Sequence, residues 1–388
     1  MKVLSIGGTR PQFVKMAVLV RAFEEYNRHN ADAIEHRLLH TGQHYDSLMS
    51  SIFFEELGMP LPEVSLGIHL GPPGRQTAAM LASIEAALMN WTPDVVLIYG
   101  DTNSTLAAAI ATVKLHIPLV HLEAGLRSFN RGMQEEINRI VSDHVSDLLL
   151  CPTQTAMAQL NKEGLGSRAV FVGDVMLDAV AQFATGGVES RTLQMLGLSK
   201  GAYALVTLHR SENTNDVRRL GEVVHALERL SLPVILPMHP RLKHLLGAEG
   251  QRMLLSYSHI HLVEPVGYLE MLTLEQKARI ILTDSGGVQK EAYFLGVPCL
   301  TMRDETEWVE TLHGGWNKLV GTDPSVILTS VESVLSAETL VREPRNLATF
   351  GDGHAGACSV ERVLEFMGEH DAQSTYNGSG RISCVTPN

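Results

Sequence analysis

The amino-acid sequence predicts an α/β fold built from two Rossmann-like, doubly wound domains facing a central cleft. Short apolar runs alternate with helix-length stretches from one end to the other, the pattern of parallel sheets wrapped by helices. Runs such as Ile280-Ile281-Leu282 are apolar at every position, as strands covered on both faces are. The length of 388 residues suits two domains of ordinary size.

In the first half, strands are expected at 2–6, 36–40, 94–99, 119–122, 148–151 and 169–172. In the second half they are expected at 203–208, 233–237, 259–263, 279–282, 299–302 and 318–320. This divides the chain into a first domain, 1–175, and a second, 176–355, with the hinge near 176–187. A late helix over 356–369 returns to the first domain, and residues 370–388, rich in Gly, Ser and Asn, read as a disordered tail.

Composition narrows the function. A net charge of −12 without a basic block argues against nucleic acid as the main partner. No apolar run reaches membrane-spanning length, and the chain enters a strand at once where a signal peptide would have an apolar core. Cys151, Cys299, Cys358 and Cys384 form no CxxC pair, which fits free thiols in a reducing cytoplasm and leaves no metal site.

Chemistry in such folds sits beyond the carboxyl ends of the parallel strands. The stretch around which the site is organised is Thr283-Asp284-Ser285-Gly286-Gly287-Val288-Gln289-Lys290-Glu291. It reads as a strand, a glycine turn and a helix opening near Val288, whose free N–H groups suit an anion. Glu291, one turn in, suits sugar hydroxyls. After the first strand, Thr9 can cap a helix with Pro11 in its first turn, which leaves Arg10 and Lys15 near its positive end. An anion between them would resolve that conflict. The segment is not GxGxxG, which disfavours a nicotinamide. Gln43 and His44 end the second strand, Asp101 the third, Glu123 and Arg127 the fourth, and Glu135 or Glu136 opens the next helix. Each acid has a bland reading as a cap, a dipole partner or, for Glu123 and Arg127, a mutual pair. Three carboxylates on one sheet edge would raise at least one pKa and so supply an acid or base. The second domain adds His209, Arg210, His239, Gly267, Tyr268 and Arg303 at its strand ends, a cationic set suited to a diphosphate.

Gly8-Thr9-Arg10-Pro11, Gly100-Asp101-Thr102, His121-Leu122-Glu123-Ala124-Gly125-Leu126-Arg127 and Glu135-Glu136-Ile137-Asn138-Arg139 together resemble the non-hydrolysing UDP-N-acetylglucosamine 2-epimerase family. So do Leu208-His209-Arg210, the segment from Asp284 to Glu291, and Met302-Arg303-Asp304. The resemblance implies the two-domain fold shared with GT-B glycosyltransferases, a homodimer, a UDP-sugar substrate, and no metal or nicotinamide. It also implies that Asp101, Glu123 and Glu135 are catalytic carboxylates and His209 an essential histidine. Arg10, Lys15, His239, Ser285, Gly286, Gly287 and Glu291 would surround the UDP-sugar, with Glu291 on the ribose. Members invert C2 by eliminating UDP and re-adding it, for bacterial surface polysaccharide precursors. Pro11-Gln12-Phe13-Val14-Lys15, Ser128-Phe129-Asn130 and Glu307-Trp308-Val309-Glu310 are similar to the branch acting on UDP-2,3-diacetamido-2,3-dideoxyglucuronate. There Arg131 would meet a sugar carboxylate or remain a solvated loop residue. A GT-B glycosyltransferase with a UDP-sugar donor, a hydrolysing 2-epimerase and a catalytically inactive UDP-sugar sensor are the competing readings.

Overall fold

A computed structural model describes all residues except 32, 44–52, 70, 185–188, 337–342 and 379–388, and for 371–378 the backbone alone. The first sheet contains β1 (Lys2–Gly7), β2 (Glu35–His40), β3 (Val64–Ser65), β4 (Val95–Tyr99), β5 (Leu119–Leu122), β6 (Leu148–Cys151) and β7 (Ala169–Phe171). The second contains β8 (Ala204–Thr207), β9 (Val234–Pro237), β10 (Ile260–Val263), β11 (Ile280–Thr283), β12 (Cys299–Thr301) and β13 (Asn317–Leu319). Their orders are β3-β2-β1-β4-β5-β6-β7 and β10-β9-β8-β11-β12-β13, and the recorded pairings are parallel. Each order reverses direction once, between β1 and β4 and between β8 and β11. Such switch points leave a crevice above the strand ends.

The central strands β4 and β11 are buried at every residue, the condition that continuous apolar runs announce. The two-residue strand β3 has no counterpart among the strands read from the sequence. It is exposed at the sheet edge, so neither an apolar run nor alternation marks it.

The first helix, Arg10–His29, starts as expected from Thr9. The Gln12 side-chain oxygen accepts from the backbone N–H groups of Gly8 and Thr9 at 2.8 and 3.1 Å, and its amide donates to the Tyr99 carbonyl at 2.8 Å. That fixes the turn carrying Arg10 and Lys15 against the end of β4. The segment read as the hinge is helical over Val175–Phe183, capped by Asp174. It packs against both the Arg10–His29 helix and the second-domain helix Gly286–Leu295. The late helix spans Ala355–Gly378, so helical backbone extends nine residues beyond the expected end at 369. Its start is held by Asp178, which accepts from the N–H groups of Ala355 and Gly356 at 3.1 and 2.8 Å. A helix with one docked face can carry a polar continuation that composition alone assigns to coil.

The apolar core of the first domain runs without a break into Tyr268, Tyr293, Phe294 and Trp308 of the second. Phe350 stands at the junction, with ring centroids 5.0 Å from Phe294 and 6.4 Å from Trp308.

The loop after β5 depends on one glycine. Gly125 has φ +85°, and a Cβ there would lie 2.6 Å from the Ala156 carbonyl oxygen. Gly125→Ala is expected to lower unfolding stability by about 2–4 kcal/mol, from left-handed strain plus a backbone clash. Urea unfolding followed by circular dichroism measures it; a loss below about 0.5 kcal/mol would contradict the assigned strain.

Candidate active site

The site begins at the β11 turn. Ser285 caps the Gly286–Leu295 helix, its hydroxyl accepting from the Val288 N–H at 3.4 Å, so the helix opens two residues before the expected Val288. The two glycines divide the work. A Cβ on Gly286 would meet Glu307 at 2.7 Å and the Trp308 indole nitrogen at 3.4 Å, so this glycine serves internal packing. A Cβ on Gly287 would meet, among the described residues beyond its own helix backbone, the Ser285 hydroxyl at 3.8 Å, and the backbone is open to a ligand.

Asp284, fully buried, organises the adjoining loop. Its carboxylate accepts from the N–H groups of His209 (3.1 Å) and Arg210 (3.0 Å) and from the Asn213 amide (3.3 Å), and lies 3.2 Å from His209 Nδ1. Burial lowers the His209 pKa below its usual value although Asp284 pulls the other way, so the imidazole is neutral at pH 7. The His239 ring sits 5.4 Å away, and its Nδ1 accepts from the Arg241 N–H at 3.2 Å.

The first domain answers with its carboxylates. Asp101 meets Arg139 at 2.5 Å. Burial pushes its pKa up, but Arg139, Lys15 and Arg210 outweigh burial and hold it below the ordinary value. Asp101 is therefore not a raised member of the carboxylate trio, of which at least one was expected. Lys15 and Arg139 reach it from helices, and Arg210 from the loop after β8. Glu123 has φ +69°, a left-handed conformation unusual for a non-glycine, and pairs with Lys15 and, at 3.6 Å, with Lys290. Burial and the Lys290 charge bring Lys15 down to about 7. The bland pairing of Glu123 with Arg127 is not formed. Glu135 is half-exposed, 3.7 Å from Arg210 across the cleft, whereas Glu136 is buried and accepts from the Ser128 N–H and hydroxyl at 2.8 and 2.9 Å. This separates two neighbours the sequence could not.

Arg139, Arg210 and Arg303 converge on the buried Glu307 at 3.4, 3.4 and 2.9 Å. Burial raises the pKa of Glu307, and the three arginines reverse this to hold it far below the usual carboxylate range. Arg303, read as a ligand cation, is turned inward onto Glu307 and the Met133 sulfur. Gln43 is also committed, its oxygen accepting from the Ser104 N–H and hydroxyl at 2.9 and 2.7 Å. Arg10 lies over the Phe53 ring at 5.4 Å. His44 lies outside the described residues. Gly267 and Tyr268 make an interdomain contact: Glu56 fills the space above Gly267 and accepts from the Tyr268 N–H at 3.1 Å. Burial raises Glu291 to about 7, against the Tyr268 and Glu275 hydrogen bonds and the Lys290 charge, which pull it down.

Four residues of the site escaped the sequence reading as candidates: Arg139, Asp284, Lys290 and Glu307. All four stand in motifs quoted above, and that position within a motif was the available signal.

An α/β enzyme of the GT-B type, acids on one wall of its cleft and cations with a helix amino-terminus on the other, is the class this arrangement defines. A family model described as UDP-N-acetylglucosamine 2-epimerase matches residues 26–366, and the chain belongs to that family. It is 44% identical over 374 residues to the UDP-2,3-diacetamido-2,3-dideoxy-D-glucuronate 2-epimerase of Pseudomonas aeruginosa, covering 95% of this chain and 99% of that protein. With the UDP-N-acetylglucosamine 2-epimerase of Methanocaldococcus jannaschii it shares 41% over 376 residues, 95% of this chain and 99% of that protein. The crystal structure of that enzyme in complex with UDP-GlcNAc and UDP matches with a TM-score of 0.86 at 40% identity, over 94% of this chain and all (100%) of that one.

Arg127, read as a substrate contact, is buried in ion pairs within the first domain. Its guanidinium donates to Asp143 and to Glu163, each at 2.7 Å, and to the Leu126 carbonyl at 2.7 Å. Arg127→Met is expected to cost about 1–3 kcal/mol of stability by removing one partner of the buried Asp143, which keeps His121 and the Gly125 N–H, while UDP affinity at permissive temperature stays unchanged. Denaturant titration with calorimetric UDP binding tests this; a weakened UDP complex in a stable variant would return Arg127 to the site.

Proposed function

We propose that this protein inverts C2 of a UDP-activated 2-acetamido sugar by eliminating UDP and adding it back on the other face. The observation that carries the reading is the division of charge across the cleft. Asp101, Glu123 and Glu135 belong to one wall, and His209, Arg210 and the Gly286–Leu295 helix amino-terminus to the other, in a chain of this family.

A hydrogen on C2 of a pyranose is not next to a carbonyl, so a carboxylate cannot remove it from the intact sugar. When the C1–O bond breaks, UDP departs with the bonding pair and C1 gains positive character. C2–H is then acidic enough for a carboxylate, and its removal leaves a C1=C2 double bond. Cations and helix N–H groups stabilise the departing diphosphate, where charge develops. Re-addition of UDP at C1, with a proton delivered to C2 from the opposite face, closes the reaction. The route draws on neither metal nor nicotinamide. In this reading Asp101 and Glu123 are the acid–base residues nearest C2, Lys15 and Arg10 flank the phosphates, and Glu291 receives the ribose.

Two sugars fit. The Pseudomonas aeruginosa relative acts on the 2,3-diacetamido uronate, the Methanocaldococcus jannaschii relative on UDP-N-acetylglucosamine. Proton NMR of the enzyme with each sugar in heavy water is expected to show a manno product carrying deuterium at C2. Glu123→Gln and Asp101→Asn should each slow it by about 10²–10⁴-fold. Transfer to an acceptor, or release of free sugar without exchange, would instead establish a transferase or a hydrolysing enzyme.

We further propose that the enzyme acts as a homodimer in the cytoplasm. The helix Pro73–Trp91 supports a self-association surface, since its outward side carries Ala78, Ala79, Ala82, Ala86 and the 65%-exposed Met89. Light scattering should give twice the 42.4 kDa chain mass, and a monomer at micromolar concentration would refute it.

A further inference from the structure

Lys290 is a buried cation that the reaction as written does not use. It lies on the Gly286–Leu295 helix between the turn that opens it and Glu291, and is 1% exposed. Its ammonium donates to Asp174 Oδ2 at 2.6 Å, stands 3.6 Å from Glu123 Oε1, and lies 3.6 Å from the centroid of the Trp308 ring. An ammonium this deeply buried is tolerated only with such partners. Asp174 needs no lysine for its own task, since its other oxygen, Oδ1, caps the Val175–Phe183 helix by accepting from the Met176 N–H at 2.8 Å. Glu123 does need one. Its left-handed backbone leaves β5 with the N–H groups of Glu123 and Ala124 both donating to the Leu150 carbonyl, at 3.0 and 3.1 Å. The side chain is thereby thrown off the sheet edge toward the second domain. Lys15 holds it from the first domain and Lys290 from the second.

We infer that Lys290 is a positioning residue for the epimerisation: reaching across the cleft, it fixes the Glu123 carboxylate in its reactive orientation only when the two domains are together. The inference rests on the proposed epimerase reading. Lys290 acts through Glu123, and its contacts are with protein groups on both sides of the cleft. A strained carboxylate gripped by one cation from each domain couples the arrangement of the domains to the geometry of the proton transfer.

Three proteins test it: wild type, Lys290→Met, and Asp174→Asn. Asn caps a helix as Asp does, so this last variant removes the carboxylate that shares Lys290 and leaves the ammonium beside Glu123. Steady-state rates and C2 deuterium incorporation are read with both sugars, UDP affinity by calorimetry. In Lys290→Met, kcat and exchange are expected to fall together by about 10²-fold, with KM and UDP affinity changed less than about threefold. Asp174→Asn is expected to stay within about threefold of wild type in kcat. A Lys290→Met enzyme with wild-type kcat, or one losing UDP affinity in step with kcat, overturns the inference. So does an Asp174→Asn enzyme whose kcat falls about 10²-fold, because Lys290 would then serve only to tether the connecting helix. That result is decisive even if Lys290→Met does not fold. A wild type that epimerises neither sugar removes the functional reading itself, and the wild-type arm alone reveals it.

Discussion

Buried charge has to be paired, and Arg139 is paired by carboxylates of both domains. Its guanidinium lies 2.5 Å from Asp101 and 3.2 Å from Glu136 on the first-domain side, and 3.4 Å from Glu307 on the second. Against the pull of burial, these acids hold its pKa above the ordinary arginine value. The interaction extends outward in both directions. Glu307 gathers Arg210 and Arg303, and Arg210 returns across the cleft to Glu135. Parting the domains would strand Glu307 or Arg139 with fewer partners, at a cost of several kcal/mol unless water replaces the lost contacts. The arrangement of the domains and the charge state of the site are therefore one problem.

This pairing also sets the chemistry. A cluster of acids left to itself would hold extra protons, whereas here Asp101 lies below the usual carboxylate value because cations surround it. The first domain thus offers an ionised acceptor where a base is wanted. The second offers a neutral imidazole at His209, fixed by Asp284, and the open backbone at Gly287 where an anion can approach. Lys15, brought down to about 7 by burial and the Lys290 charge, stands between these regimes.

The apolar junction has a corresponding role. Trp308 packs in the first domain's core while belonging to the second, and its ring carries the Lys290 ammonium on one face. Apolar burial and ion pairing thus meet at the same residues, so the cleft is defined where the core is continuous.

The sequence by itself determined the two parallel sheets, twelve of the thirteen strands among the described residues and the polar turn after each central strand. Apolar runs and capping residues are local, and local signals survive in a linear reading. It also singled out Asp101, Glu123, Glu135, His209 and the Ser285-Gly286-Gly287 turn, because strand ends can be counted. What only the tertiary structure decided is which charge meets which. Arg127 turns to Asp143 and Glu163, Glu136 separates from Glu135, Arg303 turns inward to Glu307, and Lys290 reaches Glu123 from the other domain. These partners lie up to 167 residues apart in sequence, as Glu123 and Lys290 do, and no periodicity encodes them. Their pairing follows from the sheet orders and from the requirement that a charge removed from water find its opposite.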